Sequence, residues 1–197
     1  MYNSDITVMN IFEANQEKIV EAGGVTSLLT LLRTSDDETI RRVAAGAIAN
    51  LAMSETNQDL IMAQGGVTLL SMTASDAEDP QTLRMVAGAI ANLCGNDKLQ
   101  KRLSGEGGIK ALLGMVRCGH LDVLSQVARG IANFAKCESK AATQEVNAKN
   151  IISEGALWEL VRIARDCSRE DIRMLAYRTL TSSPTLEAEM NRLGIKL

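Results

Sequence analysis

The sequence predicts an all-α protein, a right-handed α-solenoid of about four three-helix repeats. Three observations lead to this prediction. The phrase GAIAN occurs at Gly46 and again at Gly88, and a related phrase, RGIAN, begins at Arg129. Glycine pairs recur with the same period as these phrases. The chain has only 2 prolines among 197 residues, which leaves long helices uninterrupted.

The glycine pairs mark one corner in every repeat. They are Gly23-Gly24, Gly65-Gly66 and Gly107-Gly108, with Gly155-Ala156 in the fourth place. The first two steps between them are 42 residues long and the last is 48. Self-similarity at such a period is typical of solenoids, because one repeat alone cannot bury its apolar faces. We therefore expect one domain whose repeats cover roughly residues 15–63, 64–105, 106–146 and 147–197.

Each repeat is predicted to contain three helices. A short helix ends at the glycines, because residues without a Cβ can make a sharp corner. The second helix has an apolar stripe, as in VTSLLTLL, and the third helix is the longest. Serines three residues before a carboxylate, Ser35 before Glu38 and Ser75 before Glu78, are expected to cap the third helices.

Composition and charge exclude several classes of protein. Aromatic residues make up 3% of the chain, so the core must be aliphatic. The formal net charge is −3, which provides no global basic field for nucleic acid or for an anionic membrane. No apolar run approaches the ~20 residues of a membrane-spanning helix. The N-terminus lacks the pattern of a secretory signal, so we expect a cytoplasmic protein.

Catalytic, metal and cofactor sites are not expected. The chain has a single histidine, His120, and no CxxC pattern among its cysteines. The glycine-rich stretch SGEGG at Ser104 is the recurring repeat corner and lacks the third glycine of a dinucleotide fingerprint. No set of side chains meets the geometric roles of an active site. We therefore predict a protein that is not an enzyme and holds no cofactor.

Asparagine closes the repeated phrase and suggests a binding surface. Asn50, Asn92 and Asn133 hold one position on successive third helices, so they should form a ladder along one face. A side-chain amide both donates and accepts, and can therefore bind the main chain of an extended peptide. The alternative is that each amide bonds a neighbouring helix and joins the repeats. Both roles can coexist in different repeats.

Arginines lie close to this ladder. Arg129 and Arg178 lie one turn before the asparagine position, and Arg42 and Arg84 lie two turns before it. Guanidinium groups match carboxylate or phosphate, so the groove is predicted to accept an acidic or phosphorylated segment. The alternative is that these arginines are merely solvated. The candidate groove residues are Asn50, Asn92, Asn133, Arg42, Arg84, Arg129 and Arg178.

The period near 42 and the three-helix unit resemble armadillo repeats. The runs GGVTSLLTLLRTSDDETIRRVAAGAIANLAM, QVARGIANFAKCESKAATQ and SREDIRMLAYRTLTSSP resemble, more specifically, the C-terminal tail of plant armadillo-repeat kinesins, from about Asn15 onward. The resemblance implies a non-catalytic scaffold that binds cargo or a regulator. It also implies cytoskeletal association, with microtubules reached only indirectly, through a motor that this sequence lacks. The alternative is the substrate-binding armadillo arm of a ubiquitin ligase.

Two features near the end of the chain leave alternatives open. Residues 137–146, CESKAATQEV, lengthen the last step between corners to 48 residues. They are either a surface loop or the place of a missing repeat, because the resemblance to plant armadillo-repeat kinesins implies a further repeat at this point. Trp158, the only tryptophan, either covers the end of the core or contacts a ligand.

Overall fold

Every regular element in the described part of the chain is a helix. A computed structural model describes residues 14–136, 149 and 152–197; residues 137–146 and Cys137 therefore lie outside it. Two 3₁₀ turns, Asp97–Leu99 and Val116–Cys118, accompany the α-helices. The α-helices are α1 (residues 14–21), α2 (Gly24–Thr34), α3 (Glu38–Leu51), α4 (Glu55–Ala63), α5 (Gly66–Asp76), α6 (Pro80–Leu93), α7 (Gln100–Gly105), α8 (Gly108–Met115), α9 (Leu121–Lys136), α10 (Ala156–Asp166), α11 (Glu170–Ser182) and α12 (Pro184–Arg192).

These helices build a right-handed α-solenoid of about four three-helix repeats, as the sequence predicts. The third helices pack in series, with α3 on α6 and α6 on α9, and these are the most extensive contacts among the described helices. Their central isoleucines, Ile48, Ile90 and Ile131, are completely buried. None of the helices described is long and apolar enough to cross a membrane.

The two glycines of the Gly65-Gly66 corner have different roles. Gly65 has a φ of 74°, in the left-handed region, and the first glycine of the other three corners does the same. A Cβ on Gly66 would lie 2.7 Å from the Ile61 carbonyl oxygen. The first glycine therefore turns the chain, and the second allows the short helix and the second helix to approach closely.

The helix caps differ from the expected serine pairs. Asp37 accepts the amide of Thr39 and caps α3, and Asp79 accepts the amides of Gln81 and Thr82 and caps α6. Ser35 and Ser75 lie too early: Ser75 is still within α5, and the residue directly before α3 and before α6 is an aspartate. An aspartate in that place accepts the free amides of the first turn.

The end of the solenoid is covered by a helix, α12, that the repeat pattern does not predict. Its Leu186 and Met190 are buried, and it packs on α11. Trp158, by contrast, is 57% exposed on α10, so it does not cover the end of the core. The final repeat therefore obtains its cap from aliphatic side chains that follow the third helix.

Candidate functional site

An open depression lies between the third helices of the first three repeats. Its volume is about 390 Å³. Gly46, Ala49 and Gly88 of the recurring phrase form part of its wall. Because these residues are small, longer side chains of the neighbouring third helices also line the depression. Its lining residues are Gly46, Ala49, Asn50, Arg84, Met85, Gly88, Asn92, Gln126 and Arg129.

The structure brings four of the seven candidate residues together around this depression: Asn50, Asn92, Arg84 and Arg129. The other three, Asn133, Arg42 and Arg178, do not line it. Arg42 pairs with Asp79 at 3.1 Å, at the beginning of α6. Arg178 is exposed on α11. The structure does not test whether any of these residues binds a partner, so their role stays a prediction.

The asparagine amides bond to the preceding third helix. Asn92 Nδ2 donates to the Ala49 carbonyl at 2.8 Å, and Asn133 Nδ2 donates to the Ala91 carbonyl at 3.0 Å. These contacts join the repeats, as the second interpretation of the ladder states. Each amide nitrogen has two hydrogens, so one remains after this bond. Asn50, at the beginning of the ladder, is exposed.

Arg129 is held in place by neutral acceptors. Its Nη1 donates to Asn92 Oδ1 at 2.7 Å, and its Nη2 donates to Gln126 Oε1 at 2.7 Å and to the Gly88 carbonyl at 3.3 Å. Burial lowers the pKa of this guanidinium from its ordinary value. A half-buried cation bonded only to neutral groups leaves its charge available to an anion from outside.

The second groove arginine is also without a carboxylate bond in the described structure. Arg84 Nε donates to the Gln81 side-chain oxygen at 3.0 Å. The residues that line the depression include two arginines and no Asp or Glu. The local charge is therefore positive, although the chain as a whole is acidic.

Arg42 differs from the other two arginines because it is paired with a carboxylate. Asp79 receives backbone amides at the beginning of α6 and the Arg42 guanidinium, and these bonds, that of Gln81 foremost, lower the pKa of its carboxyl group. Glu38 accepts the backbone amides of Glu78 and Asp79 at 3.1 and 3.0 Å. Together these contacts fasten the first repeat to the second and take Arg42 out of the groove.

A second ladder, formed by glutamines, is not among the features predicted from the sequence. Gln16, Gln58 and Gln100 are 42 residues apart, and all three are buried. Gln58 Nε2 donates to the Ala52 carbonyl at 2.7 Å, and Gln100 Nε2 donates to the Cys94 carbonyl at 2.8 Å. The signal was present in the sequence, because each glutamine stands seven residues before the first glycine of a corner.

The depression presents hydrogen-bond donors and positive charge. No group of three or more His, Cys, Asp or Glu side chains that could hold a metal ion occurs in the part of the chain that the structure describes. The depression offers hydrogen-bond donors: the side-chain amides of Asn50 and Asn92 and the guanidinium groups of Arg84 and Arg129. Such groups can bind a main chain and an anionic side chain.

Comparisons with known proteins identify the type of repeat. The armadillo/beta-catenin-like repeat family matches residues 13–53. A designed armadillo repeat protein superimposes with a TM-score of 0.77 at 23% identity, over 91% of this chain and 74% of its own. Another, solved in complex with the peptide (KR)4, has a TM-score of 0.79 at 22% identity, over 91% of this chain and 74% of its own. The chain therefore has the armadillo-repeat α-solenoid fold.

Its sequence is, in particular, similar to plant kinesin-like proteins. It is 72% identical to the kinesin-like protein KIN-UB of Oryza sativa subsp. japonica over 227 residues, which cover 93% of this chain and 26% of the relative. The kinesin-like protein KIN-UB of Arabidopsis thaliana is 63% identical over 227 residues, with 93% and 25% covered. The chain thus spans about a quarter of the length of these relatives.

Proposed function

We propose that this chain is a non-catalytic interaction module that binds an extended, acidic or phosphorylated segment of a protein partner across its third helices. The observation that carries the proposal is the pair Arg84 and Arg129, which line one depression together with Asn50 and Asn92 and with no carboxylate. The asparagines supply main-chain contacts, and the arginines select the charge of the segment.

The designed relative that holds (KR)4 provides a contrast in charge. Its peptide alternates lysine and arginine. In the present groove such a peptide would bring its cations against Arg84 and Arg129, and like charges in a partly buried site repel each other. The segment that fits here therefore carries the opposite charge.

We further propose that the domain serves as the cargo- or regulator-binding tail of a kinesin-like microtubule motor, at the cytoskeleton. Its similarity to kinesin-like proteins over 93% of the chain supports this. These relatives are about four times as long, so a motor would reside in another part of the protein. The alternative, a substrate-binding arm of a ubiquitin ligase, has no observation in its favour.

The groove can be tested with a peptide of the expected charge. The probe is a fluorescein-labelled ten-residue peptide of alternating glutamate and serine, with a phosphoserine version and an alternating lysine–serine version for comparison. We expect anisotropy to report binding of the acidic probes and none of the basic one. Arg129→Ala should weaken binding of the acidic probe by roughly three- to tenfold, because about 1 kcal/mol of charge-assisted bonding is lost.

Arg162→Ala is the matched control. Arg162 is an exposed arginine on α10 that pairs with Glu159, outside the groove. It should leave affinity for the acidic peptide unchanged at the same net charge as Arg129→Ala. Equal losses in the two variants would reveal a general charge effect and would contradict the groove, as would tighter binding of the basic peptide.

A further inference from the structure

The junction between the third and the terminal repeat differs from the two before it. We call the packing of α8 and α9 against α10 and α11 the terminal junction. In the row of second helices, α2 to α5 and α5 to α8 are packed more closely than α8 to α10. An open cavity of about 870 Å³ lies here, lined by charged residues that include Glu106, Lys110, Arg117, Glu154 and Glu159.

The contact between third helices is also less extensive at this place. Helix α9 packs on α6 more extensively than on α11. A bond that crosses the terminal junction is the ion pair of Arg169 and Asp122 at 2.9 Å, and both side chains are more than a third exposed. Exposed pairs of this kind are screened by water and contribute little to stability.

Both ladders change at the same junction. The glutamine ladder runs through Gln16, Gln58 and Gln100, and the equivalent position seven residues before Gly155 is Ala148. The asparagine ladder runs to Asn133, and the equivalent position on α11 is Ser182. The glutamine and the asparagine that recur in the first three repeats are therefore replaced by other residue types in the terminal one.

The length of the alignments supplies an independent observation. The rice relative aligns over 227 residues, but 93% of this 197-residue chain is about 183 residues, so about 44 aligned positions have no counterpart here. The same subtraction for the other relatives leaves about 43 or 44 positions. That excess is close to the 42-residue period of this chain, and so to one repeat.

The excess is best placed at the terminal junction. The first two steps are both 42 residues and are joined by intact ladders, whereas the third is 48 residues and adjoins the cavity. We infer that the longer relatives hold one further repeat at this place, that the terminal repeat here docks directly on the third, and that the groove therefore ends on α9, with Asn133 as the last asparagine of the ladder. The last part rests on the proposed function.

This inference limits the partner segment. Neighbouring packed helices are about 10 Å apart, so Asn50, Asn92 and Asn133 span about 20 Å. An extended chain rises about 3.3–3.6 Å per residue, so about six residues cover the three positions. One more repeat would extend the site to about nine residues.

The missing repeat can be tested without any ligand. The 44 additional residues of the rice relative are inserted between residues 144 and 145, and the control carries the same 44 residues in permuted order. We expect circular dichroism to show the added helix of a three-helix repeat, with cooperative unfolding at a temperature no lower than that of the unchanged chain. An insert that adds no helix, or that trypsin removes while the remainder stays folded, would overturn the inference.

The end of the groove is tested on the unchanged chain. Acidic peptides of alternating glutamate and serine with six, nine and twelve residues serve as probes. Affinity should rise less than twofold beyond six residues, and Arg178→Ala should change it less than twofold, whereas Arg129→Ala weakens it. A loss at Arg178 equal to that at Arg129, or a continued rise to twelve residues, would place the end elsewhere. If no acidic peptide binds, the proposed groove fails, and the insertion still decides whether a repeat is missing.

Discussion

Glycines of the repeated phrase have different functions at the level of single residues. A Cβ on Gly88 would lie 3.5 Å from the Gln126 side chain, which is ordinary contact. A Cβ on Gly130 would lie 2.7 Å from Leu112 Cδ1 and 3.2 Å from the Ala91 Cβ. The close approach of third helices thus depends on Gly130, which holds the place of Ala89 in the preceding repeat. Gly88 mainly keeps the groove open.

The substitutions Gly88→Ala and Gly130→Ala should therefore have opposite effects on stability. In Gly88→Ala, lower backbone entropy of the unfolded chain should raise the free energy of unfolding by about 0.5–1 kcal/mol. In Gly130→Ala, overpacking should lower it by about 1–3 kcal/mol. Urea unfolding followed by circular dichroism measures both. Equal effects of the same sign would show that the contacts of Gly130 can relax and would refute the distinction.

Individual helices are joined by buried amides more than by ion pairs. Gln58 donates to the end of α3 and accepts from Asn96 at 2.9 Å, so one side chain satisfies groups on both sides of the corner between repeats. Gln100 repeats the contact one period later. A buried carbonyl at a helix end costs free energy if it is left without a donor. Gln58 and Gln100 therefore fasten their first helices to the preceding third helices.

Replacing Gln58 tests this connection. Gln58→Met keeps a side chain of similar length and removes the polar atoms, so it separates hydrogen bonding from packing. We expect a loss of about 1–3 kcal/mol in the free energy of unfolding, because the Ala52 carbonyl and the Asn96 amide remain buried without this partner. Gln81→Ala, at an exposed position of α6, should change stability by less than about 0.5 kcal/mol. A neutral Gln58→Met would show that packing alone joins these helices.

The whole molecule is a linear stack of repeats, and the stability of each repeat depends on its contacts with the adjacent repeats. Repeats one to three share close third-helix packing and two ladders, whereas the terminal repeat docks beside an open cavity. In a solenoid, stability is approximately a sum of repeat terms and nearest-neighbour interfaces. The terminal repeat should therefore open separately from the rest.

Native-state hydrogen exchange measures this difference. Amides of α10, α11 and α12 should exchange through a partial opening, while amides of α6 should exchange only through a larger one, and the gap should be at least tenfold in protection factor. Arg169→Ala should alter it little, because that ion pair is exposed. Uniform protection from α3 to α11 would contradict a weak terminal junction.

Much of the fold could be predicted because its determinants are local and periodic. The four corners follow from glycines that permit a left-handed backbone, and the third helices from a repeated apolar face. The site was harder to predict. The position of Asn92 was evident, but its bond to Ala49 and its contact with Arg129 join residues 43 and 37 positions apart in the sequence. Such pairings depend on the distance between stacked helices, which no single repeat specifies.

The sequence by itself determined the period, the all-α class and the row of asparagines, because these depend on residue types at regular spacing. Only the tertiary structure decided that the asparagine amides join neighbouring repeats, that Asp79 withdraws Arg42 from the groove, and that α12 rather than Trp158 covers the end of the core. The physical reason is that alternative contact partners compete for the same side chain. Each polar or aromatic side chain has several possible partners, and the one it contacts is set by which helices the stacked repeats bring within a few ångströms.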